Sequence, residues 1–198
     1  MTTIGIICEG SSGGEDEQVL THLAQRICPA AQLVVRPQGA KPNLIAQCGE
    51  VAKALFDSGC DRVLIVWDVY PRWERPDGEQ QDIADIQVVL ARADLTDKPC
   101  LYLVPIQKEL EAWLLADGLE LSKVLSTQAH PVTVGDTKHA EHNANPKKQL
   151  EKVFKRHGRN YAAKTDAIKI MRNIQKNFGM LAKQSTFKKF GHSLTQAC

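Results

Sequence analysis

Residues 62–74 read Arg-Val-Leu-Ile-Val-Trp-Asp-Val-Tyr-Pro-Arg-Trp-Glu, and the first half of this stretch most narrows what the chain can fold into. Five consecutive apolar residues, 63–67, predict a short strand buried on both faces, which requires a sheet covered by helices on each side. The strand delivers Asp68 to its C-terminal end just before Pro71 interrupts the chain. In open parallel sheets the ligand crevice lies outside the carboxyl ends of the central strands. Asp68 is therefore the first candidate for chemistry.

A second short apolar run, residues 4–8, ends in Glu9-Gly10 and opens into Ser11-Ser12-Gly13-Gly14. If the two strands lie side by side, Glu9 and Asp68 face one crevice. Helical spacing follows over 15–27, with acidic residues in the first turn, then a strand at 32–36, a turn at 37–42 and an apolar helical stripe over 44–56. A third helix is predicted over 80–92 and a fourth strand over 100–106. Strands alternating with helices imply right-handed βαβ units: an α/β fold with a Rossmann-like parallel sheet of about four strands flanked by helices. Residues 107–117 begin where the fourth strand ends and read as a helix that brings Glu109 and Glu111 to the same edge, anchored by Leu110, Trp113 and Leu114. Three basic helices are expected over 146–157, 162–178 and 183–190. The expected organisation is an α/β domain over 1–125, a long polar loop over 126–145, functional or mobile, and a basic helical extension over 146–198 packed on or beside the domain.

The formal net charge of +2 hides a division. Residues 145–198 carry 13 Lys or Arg against Glu151 and Asp166, a net of +11, which leaves residues 1–144 at −9. A basic tail of this kind either contacts a polyanion such as nucleic acid or packs its basic face against the acidic body. No apolar run approaches the roughly 18 residues of a membrane span, so no membrane partner is expected. The start of the chain lacks a basic, apolar leader, and a cytoplasmic location is expected. Six cysteines with no Cys-x-x-Cys pair read as reduced thiols.

Four carboxylates at adjacent strand ends, Glu9, Asp68, Glu109 and Glu111, would repel one another unless a cation neutralised them. Hard oxygen donors select Mg²⁺ or Mn²⁺, with Glu9, Asp68 and Glu111 as the expected ligands. Such a cation polarises a phosphodiester and activates water, the logic of many nucleases. The alternative for each carboxylate is a cap or a first-turn acid. The 9–14 loop lacks the Lys-Ser/Thr of a P-loop, although its amides are of the kind that cradle phosphate, and one of Glu15, Asp16 and Glu17 is a possible further ligand. Lys147, Lys148 and Lys164 are the candidate phosphate contacts, and Trp73 a candidate for base stacking. His139-x-x-His142, near Asp136 and Glu141, is a weak transition-metal pattern.

Glu9-Gly10 after the first strand and Asp68 after the third resemble the TOPRIM fold of topoisomerases, bacterial primases and overcoming-lysogenisation-defect nucleases. Residues 109–117, 145–148 and 161–164 further resemble the TOPRIM-like proteins grouped as domain of unknown function 4276. The resemblance implies a metal-dependent nuclease in which Glu9 is a metal ligand or general acid/base and Asp68 a metal ligand. TOPRIM domains usually carry Asp-x-Asp, whereas this chain has Asp68-Val69-Tyr70. Either Glu74, Glu109 or Glu111 compensates, or catalysis has been lost and the module binds nucleic acid or a protein such as an ATPase in a defence or toxin-like system. The same Tyr70 argues against an Asp68-based phosphotransferase of the haloacid-dehalogenase kind.

Overall fold

The computed structural model describes residues 1–71 and 78–197. Among them the fold is α/β, with a four-stranded sheet in the order β2-β1-β3-β4, all parallel. The strands are β1 (Thr3–Cys8), β2 (Gln32–Pro37), β3 (Arg62–Asp68) and β4 (Leu101–Ile106). Helix α1 (Glu15–Ile27) covers one face, while α2 (Lys41–Asp57) and α3 (Glu79–Arg92) cover the other. The order reverses between β1 and β3, so their carboxyl ends flank the topological switch point.

Side-chain alternation sorts β3 between two cores. Leu64 and Val66 join Ile4, Ile6 and Cys8 of β1 under α1, whereas Val63, Ile65 and Trp67 join Ile7 under α2 and α3. Helices α2 and α3 approach closely at Gly49, where a side-chain carbon would fall 2.6 Å from the Val89 carbonyl oxygen.

The rest of the chain builds on the α1 face. Helices α4 (Glu111–Ala116), α5 (Gly118–Leu125), α6 (Pro146–Arg156), α7 (Ala163–Arg172) and α8 (Ser185–Thr195) bury Trp113, Leu121, Phe154, Met171 and Phe190 in the same core as Leu64 and Val66. The Trp113 ring meets Phe187 edge-on at 5.4 Å and Phe190 at 5.6 Å. No helix among the described residues is long and apolar enough to cross a membrane.

Several local expectations change. The helix expected over 107–117 starts only at Glu111, because β3–β4 pairing continues past the strands: Val69 N–H donates to Ile106 O at 3.0 Å and Tyr70 N–H to Lys108 O at 2.7 Å. Lys108, at φ +71°, is left-handed and holds off the helix. A separate α5 then starts under an Asp117 cap that accepts Leu119 N–H at 3.2 Å. The helix expected over 162–178 stops at Arg172, and Arg26 takes the Ile174 and Gln175 carbonyls at 2.7 and 2.8 Å. Cys8, Cys28, Cys48 and Cys60 are free thiols, but Cys100 is disulfide-bonded, which corrects the all-reduced reading. Spacing along the chain does not reveal which thiols tertiary packing brings together.

Residues 126–145 are tied to the helices by hydrogen bonds. Val132 and Val134 N–H donate to Ser126 Oγ and Ser122 Oγ, both at 2.8 Å, and Gly118 N–H to Asp136 Oδ1 at 3.0 Å. Glu141 then caps α8 from a distance: its carboxylate accepts the amides of Ser185 and Thr186, at 2.8 and 2.9 Å, and both their hydroxyls.

Candidate active site

Three carboxyl-terminal strand ends and three helix starts converge at the switch point. Parallel pairing sets Cys8 opposite Val66 and Asp68 opposite Ile106, so Glu9 follows β1 and Glu109 follows β4 on either side of Asp68. The Asp68 N–H donates to Glu9 Oε1 at 2.9 Å, which ties the ends of the central strands together. By alternation Asp68 belongs with Leu64 and Val66, on the side where α1 brings Glu15 and Asp16 and α4 brings Glu111.

Gly10 makes room for Asp16. Its φ of +87° favours glycine, and a side-chain carbon there would fall 2.9 Å from Asp16 Oδ2. The rest of the 9–14 loop is engaged internally: Gly10 N–H bonds Gly39 O at 2.8 Å, Gly14 N–H bonds Ser11 O at 2.7 Å and Gly13 N–H bonds Glu17 Oε2 at 2.6 Å. Little of a phosphate cradle is left, and Glu17 is bound to the loop.

Burial dominates the electrostatics. It pushes the Asp68 carboxyl well above the usual carboxylate range, reinforced by the charges of Asp16, Glu9, Glu111 and Glu109. Glu9 rises to about 7, again through burial, against the pull of the Asp68 amide and the Lys41 charge. Glu15 also reaches about 7 through burial and the Glu111 charge, although the Tyr161 hydroxyl donates to its Oε1 at 2.7 Å. Burial raises Asp16 and Glu109 as well. Asp68 Oδ1 is cut off from water and accepts no hydrogen bond among the described residues. A sequestered carboxylate oxygen without a donor is costly unless protonated or bound to a cation.

Two lysines flank the cluster. Lys41 is 1% exposed, and its Nζ donates to the carbonyls of Asp68 and Val69 at 2.9 and 2.8 Å and to Asp82 Oδ2 at 3.2 Å. Trp67 Nε1 donates to the same Asp82 oxygen at 3.3 Å. This buried group clamps the end of β3 from behind. Lys147, at the start of α6, faces the crevice: its N–H donates to Glu109 Oε2 at 3.1 Å, and its Nζ forms an ion pair with Glu111 Oε1 at 3.2 Å.

The structure thus brings Glu9, Asp68, Glu109, Glu111 and Lys147 to one place. Lys148 and Lys164 are exposed, Lys148 using its amide for the Asn145 cap at 3.1 Å. Trp73 and Glu74 lie outside the described residues. Trp67 and Trp113 are buried packing residues. Asp136 and Glu141 are engaged elsewhere, which leaves His139 and His142 as an exposed stacked pair with rings 5.6 Å apart.

Asp16, Glu15 and Tyr161 complete the rim. The acidic first turn of α1 was visible in the sequence, but helix-dipole stabilisation accounts for it equally well. Lys41 and Asp82 gave no signal, because a buried ion pair 41 residues apart follows no periodicity.

Among the described residues no three Asp, Glu, His or Cys side chains form a ready metal-ligand group. The donor set nonetheless fits a hard divalent cation: every candidate is a carboxylate, and Asp68 Oδ1, unpartnered among the described residues, is an oxygen that a cation or a proton would satisfy. No protein-family model, curated protein or solved structure matches the chain.

Proposed function

We propose that the chain is a TOPRIM-like, divalent-metal-dependent nuclease that hydrolyses phosphodiester bonds in DNA or RNA. The observation that carries this reading is the sequestered, donorless Asp68 Oδ1 at the switch point, surrounded by Glu9, Asp16 and Glu111. The resemblance of Glu9-Gly10 and Asp68 to TOPRIM strand ends supports it.

Glu9, Asp68 and Glu111 would hold Mg²⁺ or Mn²⁺, with Asp16 as a fourth carboxylate in reach of the group. When bound, the cation supplies charge neutralisation at the phosphoryl oxygens and an activated water. The chain's own residues do the rest. Burial puts the Glu9 pKa at about 7, so a cation that binds near neutrality displaces its proton, and the Asp68 amide and the Lys41 charge favour the ionised form that would hold the cation. Lys41 fixes the β3 end, so Asp68 does not drift as charge changes around it. Tyr161 orients Glu15. Exposed Lys148 and Lys164 lie on the basic helices and would hold the substrate backbone.

Tyr70 stands where a second Asp is usual in the resembling family, and this favours a second reading. A degenerate module would bind nucleic acid, or a partner such as an ATPase, without cleaving.

Calorimetric titration of Mn²⁺ or Mg²⁺ into wild type and Asp68→Ala, followed by plasmid and single-strand cleavage with the same samples, separates the two. Metal binding lost in the variant, with metal-dependent nicking by wild type, is the expected result. Salt-sensitive nucleic-acid binding without metal and without cleavage under either cation would replace the nuclease with the binding module.

A further inference from the structure

The cation that the crevice contains is an ammonium. Lys147 engages α4 and the segment before it twice, through its amide to Glu109 and its Nζ to Glu111. The two engagements differ in permanence. The amide belongs to the first turn of α6, held by the Asn145 cap and the buried Pro146, so Glu109 serves as the docking point of that helix. The side chain is 49% exposed and pairs with Glu111, itself 5% exposed, at 3.2 Å. An ammonium so placed withdraws into water by rotation about its own side-chain bonds, leaving α6 in position. Lys41 behind β3 is the contrast: fully enclosed and bonded to two carbonyls and Asp82, it has no such path.

Resting on the metal reading above, we propose that Lys147 is the resident counter-ion of the crevice, released from Glu111 when a divalent cation enters, and that this exchange sets the cation affinity of the site. The physical reason is competition for one carboxylate. Glu111 Oε1 is buried, and the Lys147 ammonium is its close partner among the described residues, so its charge is balanced by whichever cation stands beside it. The Lys147 charge also acts on Glu15 and Asp16, offsetting part of the burial that raises both, so its release is felt across the cluster. Once released, the ammonium lies on the solvent side of the crevice, where a phosphate backbone would approach.

The test is Mn²⁺ titration by calorimetry on the full chain, without nucleic acid, for wild type, Lys147→Met, Lys147→Arg and Lys152→Met. Lys152 is an exposed lysine further along α6 and serves as the charge-matched control. Removing the competitor in Lys147→Met is expected to tighten Mn²⁺ binding about tenfold, within the ordinary range for coupling between two bound groups. Lys147→Arg and Lys152→Met are expected to bind like wild type. A second readout is thermal unfolding in EDTA and in Mn²⁺, where Lys147→Met is expected to unfold earlier than wild type without cation and to gain more from Mn²⁺. Should the methionine variant not fold, Lys147→Gln takes its place. Unchanged or weaker Mn²⁺ binding in Lys147→Met, with wild type still binding, overturns the exchange and leaves the metal reading intact. Absence of Mn²⁺ binding in wild type and Lys147→Met alike overturns both.

Discussion

The amide of Asp68 donates to Glu9 Oε1 at 2.9 Å, so the two carboxylates that flank the switch point are coupled through one backbone hydrogen bond. That bond favours the ionised form of Glu9, yet burial outweighs it and leaves the pKa near 7. The fold thus hides these carboxylates even where a hydrogen bond favours their charge.

A pH dependence follows. Glu9 and Glu15 sit at about 7 against an ordinary 4.5, so the folded protein binds more protons than the unfolded chain between these values. Stability from these groups is fully present below pH 4.5 and is lost as the pH rises through 7. His22, lowered by burial, acts in the opposite sense just below its ordinary 6.5. Urea denaturation at intervals from pH 4.5 to 8 is expected to show a decline that flattens above 7, shallower in Glu9→Gln by up to about 1.4 kcal/mol per pH unit. Identical slopes for the two proteins would refute the assignment.

Asp68→Asn removes the most strongly destabilised carboxylate while keeping its shape. The variant is expected to unfold at a higher Tm than wild type without cation, because the burial that raises the Asp68 carboxyl no longer opposes a charge. It should also lose Mn²⁺ binding. A lower Tm in EDTA would mean that the carboxylate holds the fold rather than a ligand.

Lys41→Met breaks the clamp behind β3. It removes the ammonium from the fully buried Asp82, which keeps its bond from Trp67 Nε1, and takes their Lys41 donor from two carbonyls. Breaking a buried pair from one side costs about 3–5 kcal/mol. Chemical denaturation is expected to show a loss of that size, and Lys41→Met with Asp82→Leu should recover much of it. Equal losses in the single and double variants would contradict the pairing.

Glu141→Gln tests the remote cap of α8. The carboxylate accepts four hydrogen bonds there, which hold its pKa below the ordinary 4.5 despite burial. A cap of this kind contributes about 2 kcal/mol. The contribution is present above pH 4.5 and lost as the pH falls through the lower folded value, opposite in sign to Glu9. Because Trp113 Nε1 donates to Thr186 Oγ1 at 2.9 Å, its fluorescence reports the change. A neutral Glu141→Gln at pH 7 would show that α8 is held by its aromatic contacts alone.

The short apolar run of β3 carried much of the architecture in plain view. A strand buried on both faces demands helices on both faces, and helices between strands demand parallel pairing. The convergence of Glu9, Asp68, Glu109 and Glu111 followed from the same logic, since each lies just past a predicted strand. Less legible were the places where one segment satisfies another. Lys108 delays α4 because Tyr70 has already bonded to it, and Arg26 claims carbonyls beyond α7. The 126–145 segment reads as loose polar chain until Ser122, Ser126 and Glu141 are seen tying it down.

The sequence by itself determined the fold class and which carboxylates stand at the strand ends, because side-chain alternation and strand position are local properties of the chain. Only the tertiary structure decided their state. Whether a carboxylate is charged depends on how deeply it is buried and on which distant amide, hydroxyl or ammonium faces it. For Glu9 that is the amide of Asp68, for Glu15 the hydroxyl of Tyr161, and for Glu111 the ammonium of Lys147. These partners lie between 36 and 146 residues away along the chain, a separation that no local pattern encodes.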